Sequence, residues 1–130
     1  ILEQIRRYML QTLLPSARRV TIHVGGEDVI VSADCASSVA LVVNELVQNA
    51  LKYAFPSGQA GRIGIELHSG RPLCQLTVWD NGVGFQADRP RPGGAGLELA
   101  STIVREKLTG EWSVESGPGG TRISFDFLEQ

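Results

Sequence analysis

"NELVQNALKYAF", residues 44–55, decides how the rest of this chain is read. No Gly or Pro interrupts residues 34–54, Asp34 or Ser37 can cap the start, and Pro56, Ser57 and Gly58 stop the run, which predicts a helix of about 20 residues. At about 100° per residue, Ala40, Val43, Val47, Ala50 and Ala54 fall in one arc, the core stripe. Glu45, Asn49 and Lys52 converge on a different face, with Tyr53 just beyond Asn49. Taken alone, that polar stripe has an ordinary reading as a solvated face. The alternative is that it lines a site.

The flanking segments predict what this helix packs against. "LEQIRRYMLQTLL" places Leu2, Ile5, Met9, Leu13 and Leu14 at helical spacing, ended by Pro15. "RVTIHV" alternates as a strand, and Gly25-Gly26 then turns the chain into a short "DVIVS" strand, an expected hairpin. "GRIGIELHS" and "PLCQLTVWD" are two further strands. In the second, Cys74, Leu76, Val78 and Asp80 share a face, so a carboxylate is aimed at the core side. The segment "NGVGFQADRPRPGGAG" leads into a third amphipathic helix with Leu97, Ala100, Ile103, Val104 and Leu108 on one stripe. "EWSVES" and "TRISFDF" close the chain around Gly117-Pro118-Gly119-Gly120. The expected order, α-β-β-α-β-β-α-β-β, reads as an α+β fold, a two-layer sandwich of one mostly antiparallel sheet covered by three helices.

Composition narrows the function classes. The chain has 130 residues, the size of one domain (1–130), with 42% hydrophobic and 20% charged residues, the balance of a folded protein. A net charge of −2 without a Lys/Arg cluster leaves no footprint for nucleic acid or an anionic membrane. Cys35 and Cys74 stand apart, without CxxC spacing or a His set, so neither zinc nor a disulfide framework is indicated and a reduced, cytoplasmic setting is expected. No apolar run reaches the roughly 20 residues of a membrane span. The 15 glycines are the outlier, about 12% against a usual ~7%.

Those glycines cluster where chemistry is suggested. "DNGVGF" follows a strand; Asn-Gly there would ordinarily mark a hairpin, but no returning strand follows. Asp80 is costly to bury without a donor, and an exocyclic amine such as that of adenine is one. "PGGAGLELASTIV" sets glycines directly before a helix, where backbone N–H groups and the helix dipole suit phosphate. GxxxxGK[ST] is absent, and no GxGxxG follows a strand, so a phosphate mode other than the P-loop or Rossmann type is expected.

In order, "NELVQNALKYAF", "DNGVGF" and "GGAGLELA" resemble the N, G1 and G2 boxes of the GHKL ATPase superfamily, the Bergerat fold, over about residues 34 to 128. Within it the sequence looks most like the catalytic ATP-binding domain of a bacterial sensor histidine kinase. The resemblance implies ATP and Mg²⁺ as cofactors, with Asn49 as Mg²⁺ ligand, Lys52 at the phosphates and Tyr53 at the base or ribose. It implies Asp80 as acceptor from the adenine amine, Gly82 and Gly84 where backbone approaches the base, and Gly94, Gly96 and Leu97 at the lid-to-helix turn under the phosphates. Thr121 shares the inward phase of Ile123, Phe125 and Phe127, and by the resemblance its hydroxyl would join the Asp80 network. Glu45 matches the glutamate that activates water in hydrolytic members; in a kinase it would orient or deprotonate an acceptor imidazole. Glu98 stands where the commonest pattern has another glycine, and Arg89 and Arg91 are the only cations of a short lid.

Both His23 and His68 fall on outward strand phases and read as surface residues. The expected partners are therefore a phosphoacceptor histidine domain, joined through the first helix (1–15), and a downstream response regulator. No nucleic acid and no direct membrane contact are expected. Two alternatives stand beside this reading: a GHKL serine kinase of the anti-sigma type or plain ATPase, and a non-catalytic nucleotide-binding module.

Overall fold

The computed structural model describes residues 1–13, 19–56, 60–84 and 95–128. Three helices, α1 (Leu2–Leu13), α2 (Ala33–Tyr53) and α3 (Ala95–Glu106), alternate with five strands. The strands are β1 (Val20–Gly26), β2 (Gly61–Ser69), β3 (Leu73–Asp80), β4 (Trp112–Gly117) and β5 (Gly120–Leu128). They form one mixed sheet in the order β1-β2-β3-β5-β4, with β1 parallel to β2 and every other pairing antiparallel. The α+β two-layer expectation is met.

Strand alternation builds the inner layer. Ile63, Ile65 and Leu67 of β2, Cys74, Leu76 and Val78 of β3, and Ile123, Phe125 and Phe127 of β5 are all buried on the helix-covered face. Leu2, Ile5 and Met9 of α1, the apolar face of α2, and Ala100, Val104 and Leu108 of α3 join the same core. Each fully buried large side chain in it contributes about 1.5–3 kcal/mol. The opposite sheet face is polar. There Thr77 and Ser124 hydroxyls bond at 2.9 Å, and the Trp79 indole fills the space that a side chain at Gly64 would need. His23 and His68 are exposed on this face, as their strand phase predicts.

The expected hairpin at Gly25-Gly26 does not form. Gly26 adopts φ +108° and lies so close to the Leu67 carbonyl that a Cβ would collide with it, while Glu27 N–H donates to Leu67 O at 2.7 Å. The glycine pair thus marks close approach of β1 to β2, not a reversal. Residues 27–31 leave the sheet: Val29 enters the core, Ile30 is 81% exposed, and Asp28 Oδ1 accepts from Leu2 N–H (3.2 Å) and Val29 N–H (2.9 Å). The cap of α2 is also not Asp34 or Ser37. Ser32 is the N-cap, its hydroxyl accepting from Cys35 N–H at 3.1 Å. The chain reaches the helix two residues earlier than its sequence suggests, because Val29 anchors the approach. Leu14 and Pro15 lie outside the described residues.

Candidate functional site

The site begins at the C-terminal half of α2. This helix is not a one-sided surface helix: it packs against α3 as well as against the sheet. Val42, Val43, Leu46, Val47, Ala50 and Leu51 are all buried, and so is Asn49 at 5% exposure. The solvated-face reading of the polar stripe is therefore wrong for Asn49. Burial of a carboxamide costs free energy unless its donors and acceptors are satisfied, so its position is specified by polar chemistry rather than by packing alone.

Opposite Asn49 stands the start of α3. A Cβ placed on Gly96 would lie 3.0 Å from Glu45 Oε2 and 3.9 Å from Asn49 Nδ2. The glycine thus lets the first turn of α3 sit directly on the polar stripe of α2. Glu45 is half-buried there, and its carboxylate makes no hydrogen bond or ion pair among the described residues. Its carboxylate sits beside the positive end of the α3 dipole, where an anion is favoured. Lys52 and Tyr53 belong to the last turn of the same helix; Lys52 is exposed and Tyr53 half-buried. Leu97 is partly buried against the core and holds α3 in place. Glu98 is exposed, turned away from the packed face.

The second half of the site is the end of β3. Asp80 is 7% exposed, on the inner face as period-two alternation predicts, and its Oδ1 accepts from Gly82 N–H at 2.9 Å. Register sets Asp80 opposite Thr121 of β5, and Thr121 opposite Ser116 of β4. Thr121 is 4% exposed, and its hydroxyl lies 2.8 Å from that of Ser116. Asp80, Thr121 and Ser116 also line an open pocket of about 470 Å³ at the strand ends, together with Trp79 and Arg122; no described residue of α2 or α3 lines it.

The turn after Asp80 is held from both sides. Val83 N–H donates to Ala54 O at 2.9 Å, and a Cβ at Gly82 would strike that same carbonyl and the Ala54 methyl. Gly84, at φ +70°, packs on the Gly117 carbonyl, and Gly120, at φ +132°, on the Asp80 carbonyl. The C-terminus of α2 and the β4–β5 turn therefore clamp the segment that carries Asp80. Asn81, inside the same motif, is structural: its Oδ1 accepts from Arg62 N–H at 2.7 Å and extends the β2–β3 pairing.

Sequence reasoning missed Ser116, although it shares the strand phase of Trp112 and could have been placed inward by alternation. Gly94, Arg89 and Arg91 lie outside the described residues. Burial pushes the Cys35 thiol pKa up, and Cys74 is fully buried, so both are packing residues rather than nucleophiles. Among the described residues no group of three or more His, Cys, Asp or Glu could hold a metal. A cation here would need oxygens from its ligand as well as from Asn49.

Comparison with known proteins agrees with this geometry. Residues 35–130 match the family model of the histidine kinase-, DNA gyrase B- and HSP90-like ATPases. The chain is 31% identical over 112 residues to blue-light-activated histidine kinase 2 of Erythrobacter litoralis, covering 82% of this chain and 32% of that protein. It is 36% identical over 116 residues to the swarming motility regulation sensor protein RssA of Serratia marcescens, covering 78% of this chain and 24% of that protein. The solved histidine kinase domain of an Erythrobacter litoralis blue-light-activated kinase superposes with a TM-score of 0.79 at 25% identity, covering 97% of this chain and 62% of that one. The chain thus spans a third or less of these two curated relatives. With the buried Asn49 and Asp80 on the helix and at the strand end where two of the three boxes place them, the chain belongs to the histidine kinase-, DNA gyrase B- and HSP90-like ATPase family, as a catalytic ATP-binding domain of the sensor histidine kinase type.

Proposed function

We propose that this domain binds Mg²⁺-ATP between α2, α3 and the β3 end, and transfers the γ-phosphoryl group to a histidine on a separate phosphoacceptor domain of a two-component sensor kinase. The observation that carries the reading is a two-ended polar site on one helix. The buried Asp80 carboxylate is clamped against the C-cap of α2, and Asn49 and Glu45 face the first turn of α3 less than three helical turns earlier.

Asp80 accepts from the adenine amine, as a carboxylate with about four lone-pair sites can while it is also bonded within the protein. Thr121 stands beside it at the base edge. Tyr53 covers the base or ribose, and Lys52, unpaired among the described residues, reaches the phosphates as a mobile charge. The first turn of α3, with Gly96 and Leu97, presents backbone N–H groups to the phosphates. The donor chemistry fits Mg²⁺: Asn49 would offer a carbonyl oxygen to this hard cation, with phosphates and waters as its further oxygen ligands. When bound, that ion neutralises phosphate charge and orients the chain of phosphates. Glu45 orients the acceptor imidazole and takes its proton. A P–N bond forms as the bond to the β,γ-bridging oxygen breaks, and that oxygen leaves with the electron pair as ADP. Catalysis is then mainly positioning and charge neutralisation. A response regulator receives the phosphoryl group downstream.

Calorimetric titration of Mg²⁺-ATP into the wild-type chain and into Asp80→Asn tests the binding reading. Loss of a charge-assisted hydrogen bond predicts about 10- to 100-fold weaker binding in the variant; equal affinities would remove the adenine assignment. Transfer is tested with labelled ATP and an added phosphoacceptor domain. Acid-labile phosphate on that domain's histidine is expected, and none on His23 or His68.

A further inference from the structure

The outer face of the sheet, opposite the helices, is polarised along its strands. Toward one end lie acids that already have neighbours: Glu66 Oε2 stands 3.9 Å from His68 Nε2, and Asp126 Oδ1 accepts from Glu111 N–H at 2.7 Å. Toward the other lie two arginines that do not. Arg62 and Arg122 are exposed, and among the described residues neither side chain makes a hydrogen bond or ion pair. They flank Trp79. Register sets Arg122 directly opposite Trp79, and Arg62 two residues before Gly64, the partner of Trp79 on β2. A notch opens beside them. Gly117 and Gly120 are register partners on the outer phase and carry no side chains, so Trp79, Asn81, Arg122 and Glu115 wall the open pocket of about 470 Å³ above them. The indole is fixed in place, because it fills the space left by Gly64.

We propose that this end of the outer sheet face docks an acidic, extended segment of a partner protein, with an apolar side chain held between two carboxylates. The spacing specifies the segment. β2 and β5 are two strands apart, about 10 Å, and Arg62 and Arg122 are staggered by two residues, about 7 Å, so their Cα atoms stand about 12 Å apart. In an extended chain, residues i and i+4 are about 13 Å apart and share a side with i+2. An acid-x-apolar-x-acid segment therefore brings one carboxylate to each guanidinium and its central side chain to the indole. Arginine takes a carboxylate through two parallel N–H donors, and Trp and Arg are the side chains that most often anchor protein interfaces. Charge favours a protein over a nucleic acid: two arginines are too few to follow a phosphate backbone, and the whole chain carries −2. Glu115 faces Arg122 across β4 and β5 without pairing with it, and as the exposed acid of the notch it opposes an acidic partner.

The test is a nuclear magnetic resonance titration of the full chain with a capped peptide, Gly-Ser-Glu-Thr-Leu-Thr-Glu-Ser-Gly, read at the Trp79 indole N–H and at the backbone amides of Arg62, Trp79 and Arg122. No nucleotide is added, so the outcome is independent of the ATP reading. These resonances should shift in a saturable way, while the indole of Trp112, which is on the inner strand phase, stays still. Arg62→Gln and Arg122→Gln alter exposed side chains and should leave the fold intact. Each is expected to weaken the peptide about two- to fivefold, the range of an exposed ion pair. Glu115→Gln removes the opposing charge and should tighten it by a similar factor. The peptide with Lys in place of both Glu residues should not bind. Absence of saturable shifts, equal binding of the Lys peptide, or arginine variants that bind as the wild type does would each overturn the proposal. So would a single-stranded oligonucleotide that shifts the same resonances at lower concentration than the peptide, since the face would then be a general anion patch.

Discussion

Gly96 stands against Glu45: a methyl group on its Cα would come within 3.0 Å of the carboxylate Oε2. The start of one helix and the polar face of another are thereby fitted to each other by the absence of a single side chain.

Gly96→Ala separates stability from function. Its φ is not in the left-handed region, and alanine is favoured over glycine in a helix by up to about 1 kcal/mol, so the variant should unfold at the same or a slightly higher denaturant concentration. The new methyl group pushes the flexible Glu45 carboxylate aside. Phosphoryl transfer to an added acceptor domain should then fall about 10- to 100-fold, the cost of misplacing a reacting group. Urea melts and single-turnover transfer rates on the same preparation check both halves.

Gly82→Ala is expected to behave differently, because its neighbour is backbone and cannot yield. The added methyl would strike the Ala54 carbonyl at the C-cap of α2. Overpacking of this kind costs about 1–3 kcal/mol, and it moves the N–H that bonds to Asp80, so stability and ATP affinity should fall together. Val83→Ala, at a half-exposed neighbouring side chain, is the control and should leave the unfolding midpoint nearly unchanged.

At the far end of α2, Ser32→Ala removes the N-cap. About 1 kcal/mol of stability should be lost. The helix has 21 residues, so the cap is about 30 Å from its last turn and nucleotide affinity should not change. An altered ATP affinity would show that the frame and the site are less independent than the contacts indicate.

Asp28 predicts an acid sensitivity of α1. Backbone N–H groups, that of Leu2 first and that of Val29 after it, hold its carboxyl below the ordinary value of 3.8. A lowered pKa in the folded chain means the charged form stabilises it above the unfolded value, and the contribution fades as pH falls through the folded one. Docking of α1 on β1 should therefore be complete at neutral pH and weaken below 3.8, before the core residues respond. Amide exchange of residues 2–9 followed against pH reads this directly, and Asp28→Ala should abolish the dependence.

Much of the fold was legible because burial leaves a period in the sequence. The spacing of two in "PLCQLTVWD" set Asp80 on the inner face before any partner strand was known, and the spacing of 3.6 separated the two faces of α2. The misreadings share one cause. Gly25-Gly26 is a turn signal when only neighbours in sequence are considered, but the carbonyl that Gly26 accommodates belongs to Leu67, 41 residues further along the chain. The polar stripe of α2 resembled a solvated face because nothing local reveals that α3 will cover Asn49.

By itself the sequence determined which elements form, which face of each is apolar, and the three motifs that mark the family. These depend on periodicity, capping chemistry and residue type, all carried by consecutive residues. Tertiary structure alone decided what meets each face. It paired β1 parallel to β2, closed α3 on Glu45 and Asn49 through Gly96, clamped the Asp80 turn between Ala54 and Gly117, and brought the Ser116 hydroxyl to Thr121. The physical reason is that a buried polar group or a missing Cβ has meaning only relative to the atoms packed against it, and those come from distant parts of the chain.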